Sequence, residues 1–278
     1  MKKIILFFIY LFSLNSLSAQ NFNYGIPKYE SLDKYVVIDS AYIKCTYTLT
    51  YIKDTLKLQE KSVDKQVLLI GKSVSKYYSQ YILDYNQFLK KELSKGKAAV
   101  STIPQKGAWS YELFKNYPSN KETVTDISSI LQENYLYEED LPAFNWKIIP
   151  EKQTILSYNC QKATVSFRGR DYIAWFTTDI PIPNGPWKFG GLPGLILKLS
   201  DTKNHFVYQC DGLERLKIKE PIKYYQVNYT KVSRKDLMKT YQRFHDDMVE
   251  YMKFLDVKVR VTTGAKALKI PYNPIELE

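Results

Sequence analysis

The chain has 278 residues, 45% of them hydrophobic and 15% aromatic, with 40 Lys and Arg against 29 Asp and Glu for a formal net charge of +11. That is too apolar for a disordered or collagen-like chain and long enough to bury a sizeable core. Only 2 His and 3 Cys are present, which leaves little room for histidine-based acid–base chemistry or a cysteine-rich metal site.

At the amino end, Lys2 and Lys3 precede an apolar stretch from Ile4 to Phe12 and a small polar run from Ser13 to Ala19. These are the three regions of a secretory signal peptide, and the apolar part is too short to span a membrane comfortably. Cleavage is expected near Ala19, or after Ser18 because Leu17 is bulky for its position; a buried amino-terminal strand or helix is the competing reading. No Gly/Ser-rich linker, charge tail or repeat of fixed period divides residues 20–278, so they are expected to form one domain. Lys2 and Lys3 leave with the signal, lowering the net charge from +11 to +9. An exported chain, periplasmic or extracellular, meets envelope proteins, lipids and anionic glycans rather than nucleic acid. The spread of lysines also fits an ordinary solvated surface.

The first half reads as an antiparallel meander. Tyr42 to Tyr51 alternates, and Thr55 to Lys61, Gln66 to Ile70 and Ser73 to Tyr78 follow at hairpin spacing. Tyr81, Tyr85, Phe88 and Leu89 keep a period near 3.6, which predicts a helix from Tyr81 to Leu93. Lys95 to Gln105 reads as loop, then Trp109 to Lys115, Asp126 to Ile130 and Asn134 to Glu138 as strands. Glu138-Glu139-Asp140 reads as an exposed acidic turn sooner than as a cation site.

A second meander runs through Phe144 to Ile149, Thr154 to Tyr158, Cys160 to Phe167 and Tyr172 to Thr178, with Arg168-Gly-Arg-Asp171 as a hairpin turn. Arg168 and Arg170 read as hairpin-end charges, with an anion clamp as the alternative. Between Pro181 and Gly194 stand four prolines and four glycines, a rigid crossover between two buried strands, Tyr172 to Thr178 and Leu195 to Leu199. Cys45, Cys160 and Cys210 each lie in a strand-like run. Being three they allow at most one bridge, and small buried apolar side chains are the favoured reading.

This crossover carries a resemblance. Gly191-Leu192-Pro193-Gly194-Leu195-Ile196, with Gly185-Pro186, Arg170 and Cys160 upstream, resembles the GLPGLI family of exported proteins found mainly in Bacteroidota. The resemblance extends over nearly the whole mature chain. It implies no established activity, ligand or catalytic residue.

Beyond the motif, Asn204 to Asp211 and Ile222 to Tyr229 continue the sheet. Ser233-Arg-Lys-Asp236 fits a capping box, and Leu237, Tyr241, Phe244, Met248, Met252 and Leu255 recur at helical steps, predicting one long amphipathic helix to the end of that run. His245 shares that helix with Asp246 and Asp247, but adjacent residues point different ways and make no metal site. No nucleophile elbow, His-Glu-x-x-His, phosphate loop or dinucleotide fingerprint occurs, so no cofactor, metal or catalytic set is assigned.

The expected fold is α+β: a predominantly antiparallel, curved, half-barrel-like sheet with a long C-terminal amphipathic helix and a shorter one. The expected function is a non-enzymatic envelope protein that binds a ligand or partner through Tyr158, Trp175, Trp187, Lys188 and Phe189, aromatics beside a backbone shaped by Gly and Pro. The alternative is a carboxylate-dependent hydrolase or peptidase accessory, using an acid such as Asp179 near Lys188. A purely architectural role for the motif is the third possibility.

Overall fold

Two meanders meet at a pair of long central strands. In the computed structural model, which describes residues 7–8, 31–95, 108–128, 131, 133–255, 259–260 and 269–278, the first meander comprises β2 (Tyr35–Ile52), β3 (Lys61–Ile70), β4 (Ser75–Ser79), β5 (Tyr111–Lys115), β6 (Lys121–Ser128) and β7 (Glu133–Asp140). The second comprises β8 (Lys147–Ile155), β9 (Tyr158–Phe167), β10 (Arg170–Thr177), β11 (Leu195–Asp201) and β12 (Phe206–Tyr225). Joined through β2 and β12, and with β13 (Thr230–Lys231) added beside β7, they form one 12-stranded sheet in the order β13-β7-β6-β5-β4-β3-β2-β12-β11-β10-β9-β8. All pairings within it are antiparallel except β13 with β7. A separate two-residue strand, β1 (Phe7–Phe8), runs parallel to β14 (Val259–Arg260). The expected cleavage site at Ala19 and most of the Lys95 to Gln105 loop lie outside the described residues.

Strand parity builds the core. Cys45, Tyr47 and Leu49 on β2 alternate with half-buried residues and point to one face. There they meet Leu68 on β3, Tyr172 and Phe176 on β10 and Tyr208 on β12. A smaller cluster of Val67, Leu69, Tyr78 and Phe114 occupies another part of the sheet. Thr55 to Glu60, expected as strand, is instead an exposed turn before β3.

The class expectation is overturned. Among the described residues the protein is mostly β with three short helices and no long C-terminal helix. The apolar period does continue from Leu237 to Met252, but the backbone breaks at Asp247, which is extended at φ −153° and ψ 95°. Its carboxylate accepts the N–H groups of Val249 at 3.0 Å and Glu250 at 3.2 Å. One helix therefore ends as α2 (Arg234–Asp246) and a second starts as α3 (Met248–Phe254). Aspartate competes with the backbone for hydrogen bonds, so it caps a helix better than it continues one. The shorter helix, α1 (Gln80–Ser94), forms as expected, with the Ser79 hydroxyl accepting from Ile82 N–H.

All three cysteines are buried and free. Burial pushes the Cys160 thiol up to about 11 and Cys210 to about 12, and Cys45 well above the usual range. The native protein is therefore expected to show no fast reaction with an aromatic disulfide reagent at pH 8, and three reacting thiols per chain in denaturant. Fewer than three in denaturant without reductant would reveal a bridge.

Candidate functional site

The Gly/Pro crossover between β10 and β11 folds back over the sheet. Phe189 N–H donates to Pro186 O at 3.1 Å, Gly191 N–H to Pro183 O at 3.2 Å and Ile196 N–H to Asn184 O at 2.9 Å. Buried Lys115 on β5 fastens it from below, its ammonium donating to Asn184 Oδ1 at 3.0 Å, Gly185 O at 2.9 Å and Phe189 O at 2.8 Å. Burial lowers the Lys115 pKa to about 7 against the pull of Glu122, its cross-strand partner on β6. Trp187, held at φ 49°, occupies a left-handed conformation that is costly for a bulky side chain.

This backbone sends Trp187, Lys188 and Phe189 inward; their exposures are 3%, 2% and 0%. Phe189 packs on Tyr172 with ring centres 4.6 Å apart, and on Phe144 and Phe167 at 5.4 Å. Lys188 is paired with Glu139 and, at 2.9 Å, with Glu276. Trp187 donates its indole N–H to Glu276 at 3.1 Å. Arg234, the first residue of α2, closes the cluster on Glu139 at 3.3 Å and Glu276 at 3.2 Å.

The same charges hold down the extended segment 269–278. Arg170 donates to Ile275 O at 3.1 Å, Pro274 O at 2.6 Å and Asn273 Oδ1 at 2.6 Å, while Asp201 lies 3.5 Å away. Tyr172 donates to Ile275 O at 3.0 Å, and Leu277 N–H donates to Arg168 O at 2.9 Å. Arg168 reaches Glu139 at 3.1 Å. The hairpin arginines are thus a clasp for the chain's own terminal segment. Arg168 at φ 49° and Gly169 at φ 76° together form the turn that presents them.

Between this segment, α2 and the sheet lies a cavity of about 210 Å³. Its walls are largely aromatic: Tyr51, Trp109, Tyr111, Trp187, Tyr241 and Tyr272. Trp109 meets Trp187 edge to face at 5.8 Å and Tyr51 at 5.6 Å. The carboxylate of Asp126 accepts hydrogen bonds from Ser110, at 2.5 Å, and from Tyr241. Burial pushes Asp126 up to about 6 despite those two bonds. Burial also lowers His245 on the wall to about 4, against hydrogen bonds to the backbone at Ile270 and Pro271. Among the described residues, no group of three His, Cys, Asp or Glu side chains could hold a metal ion, and no helix is long and apolar enough to cross a membrane.

Of the five residues expected to form a binding surface, only Trp187 reaches this cavity. Lys188 and Phe189 are packed inside. Tyr158 is half-buried at the start of β9. Trp175 is half-buried on β10, out of phase with buried Ala174 and Phe176 and 5.9 Å from the Lys162 ammonium. The motif residues Gly185, Pro186, Leu192, Gly194, Leu195 and Ile196 are buried, as are Cys160 and Arg170, whereas Gly191 and Pro193 are exposed. Asp179 is exposed while Lys188 is buried on Glu139 and Glu276, so these two do not form the expected cleft.

A family model described as a protein of unknown function, Porph_ging, matches residues 168–198, from the hairpin arginines through the crossover into β11. The match covers a short stretch and does not establish the GLPGLI family. No curated protein matches the chain. Among solved structures the chain is similar to PNGF-II in space group P21, at 15% identity and a TM-score of 0.50, over 75% of this chain and 34% of that one. The C2 form of PNGF-II gives 15% identity and a TM-score of 0.49, over 73% and 33%. The chain thus spans about a third of the PNGF-II chain it matches, and at that identity the likeness is one of fold alone.

Proposed function

We propose that this chain is an exported, non-enzymatic binding protein whose site is the aromatic cavity walled by Trp109, Trp187 and Tyr241. The supporting observation is the cavity itself, about 210 Å³ of space lined by rings. Trp187 forms part of the wall from a strained backbone, a feature that persists only where the surroundings enforce it. The hydrolase alternative receives less support. It needs two accessible acids in one cleft, whereas Glu276 is committed to Trp187, Lys188 and Arg234.

Ala108 on the cavity wall is half-buried and outside any strand or helix, so a larger side chain there fills space without deleting a core contact. The Ala108→Trp variant is expected to melt within a few degrees of wild type and to lose the small molecules that native mass spectrometry finds on wild type after incubation with an envelope extract. Equal retention by both proteins, or none by either, overturns the reading.

A further inference from the structure

The slot beneath the terminal segment reads a peptide through side chains. None of residues 269–278 is in a strand, and the 12-stranded sheet takes no member from them. The segment is gripped instead by side-chain donors. Arg170 donates to the carbonyls of Pro274 and Ile275, Tyr172 to that of Ile275 and Arg234 to that of Glu278. The segment can therefore leave without parting any strand from its neighbour.

Three of its positions are selected. Asn273 donates through Nδ2 to Ile52 O at 2.7 Å and accepts through Oδ1 from Arg170 at 2.6 Å. An aspartate there would set an oxygen against Ile52 O, so the slot asks for an amide. Ile275 is buried, and Pro274 before it brings no N–H that needs a partner. Glu276 meets Lys188 at 2.9 Å, Arg234 at 3.2 Å and the Trp187 indole at 3.1 Å.

Lifting Glu276 away would leave Arg168, Arg170, Lys188 and Arg234 paired, among the described residues, with two carboxylates, Glu139 and Asp201. Glu122 adds to the field at Lys188 without pairing with it. Buried cations left short of partners are costly, so an empty slot is disfavoured where an acidic replacement is not.

We infer that this slot is a peptide-docking surface, held by the chain's own segment until an extended acidic segment of a partner protein, patterned Asn-Pro-apolar-Glu, takes its place. Clustered cations capture acidic motifs in this way in other recognition domains. The tethered segment competes at a high effective concentration, so it weakens the partner's binding without preventing it.

The test is fluorescence anisotropy of a fluorescein-labelled peptide of residues 269–278, titrated with the full chain as wild type, Glu276→Gln and Asn273→Ala, each checked for a native near-UV circular dichroism spectrum. The peptide reports on the slot whatever fills the cavity. Both substitutions weaken the resident segment and leave the slot intact. Each is expected to bind the peptide about tenfold more tightly than wild type, the order for one lost charge-assisted hydrogen bond. Adding Lys188→Met to Asn273→Ala damages the slot itself and is expected to abolish the gain, and an unlabelled peptide carrying Glu276→Gln is expected not to compete. Equal binding by wild type and both variants would place the peptide elsewhere. No binding by any of the three, or loss of the native spectrum in both variants, would make the segment a fixed part of the fold. Either result overturns the inference. A wild-type dimer that forms with rising concentration and is blocked by the free peptide would make the occupant a second copy of this chain, and would overturn the partner assigned here.

Discussion

Gly194→Ala is expected to leave no folded protein, whereas Gly191→Ala, three residues earlier in the same motif, is expected to fold. A Cβ on Gly194 would stand 2.0 Å from Thr177 O, 2.6 Å from Thr177 C and 3.1 Å from Thr178 N. These are backbone atoms with no rotamer to change. Thr177 is fully buried and is the register partner of Leu195, so clearing the clash means prying β10 from β11 where the crossover enters. That combines overpacking with broken pairing and belongs among substitutions costing more than about 4 kcal/mol, a large part of a typical domain's stability. Gly191 is exposed, and the nearest atom to its added Cβ is Trp146 Nε1 at 4.0 Å. Its penalty is the left-handed backbone at φ 79°, about 1–2 kcal/mol. Soluble yield and urea midpoints for the two variants measure the contrast. Similar midpoints would mean that the crossover can shift as a unit and that the motif's glycines are not placed by this contact.

The contrast shows what a sequence reader can extract from such a motif. The density of Gly and Pro between Pro181 and Gly194 says that a tight crossover joins two strands, and β10 and β11 are those strands. It does not say which way the intervening side chains point. Aromatics among turn residues suggest a surface, yet the crossover lies over the sheet and drives Trp187 and Phe189 into the core. Tyr42 to Tyr51 was legible as strand because period-2 alternation is a local signal, whereas its pairing with β12 depends on residues far along the chain. The helix break could have been read: Asp247-Met-Val-Glu250 has the Asp and Glu three apart that open a new helix, but the apolar period runs through it and masks it. Glu139 carried a signal too. Strand parity aligns it with Tyr135 and Tyr137 rather than with the exposed Glu138 and Asp140, so it was not simply part of an acidic turn. The cavity had no comparable trace, since its walls come from β2, β5, α2 and the terminal segment and meet only after folding.

Lys188→Met is expected to lower stability by about 3 kcal/mol and to loosen the terminal segment, although a surface lysine in a turn would tolerate the change within about 0.5 kcal/mol. The side chain is fully buried with its ammonium between Glu139 and Glu276 and 5.1 Å from the Tyr137 ring centre. Burial works against its charge, but Tyr137 and the carboxylates of Glu276, Glu139 and Glu122 outweigh it and hold its pKa above the ordinary lysine range. A lysine raised on folding contributes its full stabilisation below the unfolded-state pKa and loses it only as pH rises through the folded value. The lysine's own titration therefore does not remove the contribution between pH 5 and 9, and substitution is the way to expose it. Methionine preserves most of the volume and removes the charge, leaving two carboxylates that keep Arg168 and Arg234 as partners. Those arginines are why the cost falls at the lower end for a broken buried pair rather than at about 5 kcal/mol. In the double variant Lys188→Met, Glu276→Gln the loss is expected to be less than the sum of the single losses, because the second change removes the charge that the first stranded. Hydrogen exchange at Leu277 N–H, bonded to Arg168 O, is expected to accelerate in Lys188→Met beyond what the global loss accounts for. A urea midpoint unchanged from wild type, with exchange at Leu277 unaltered, would return Lys188 to the surface role that its place among turn residues suggests.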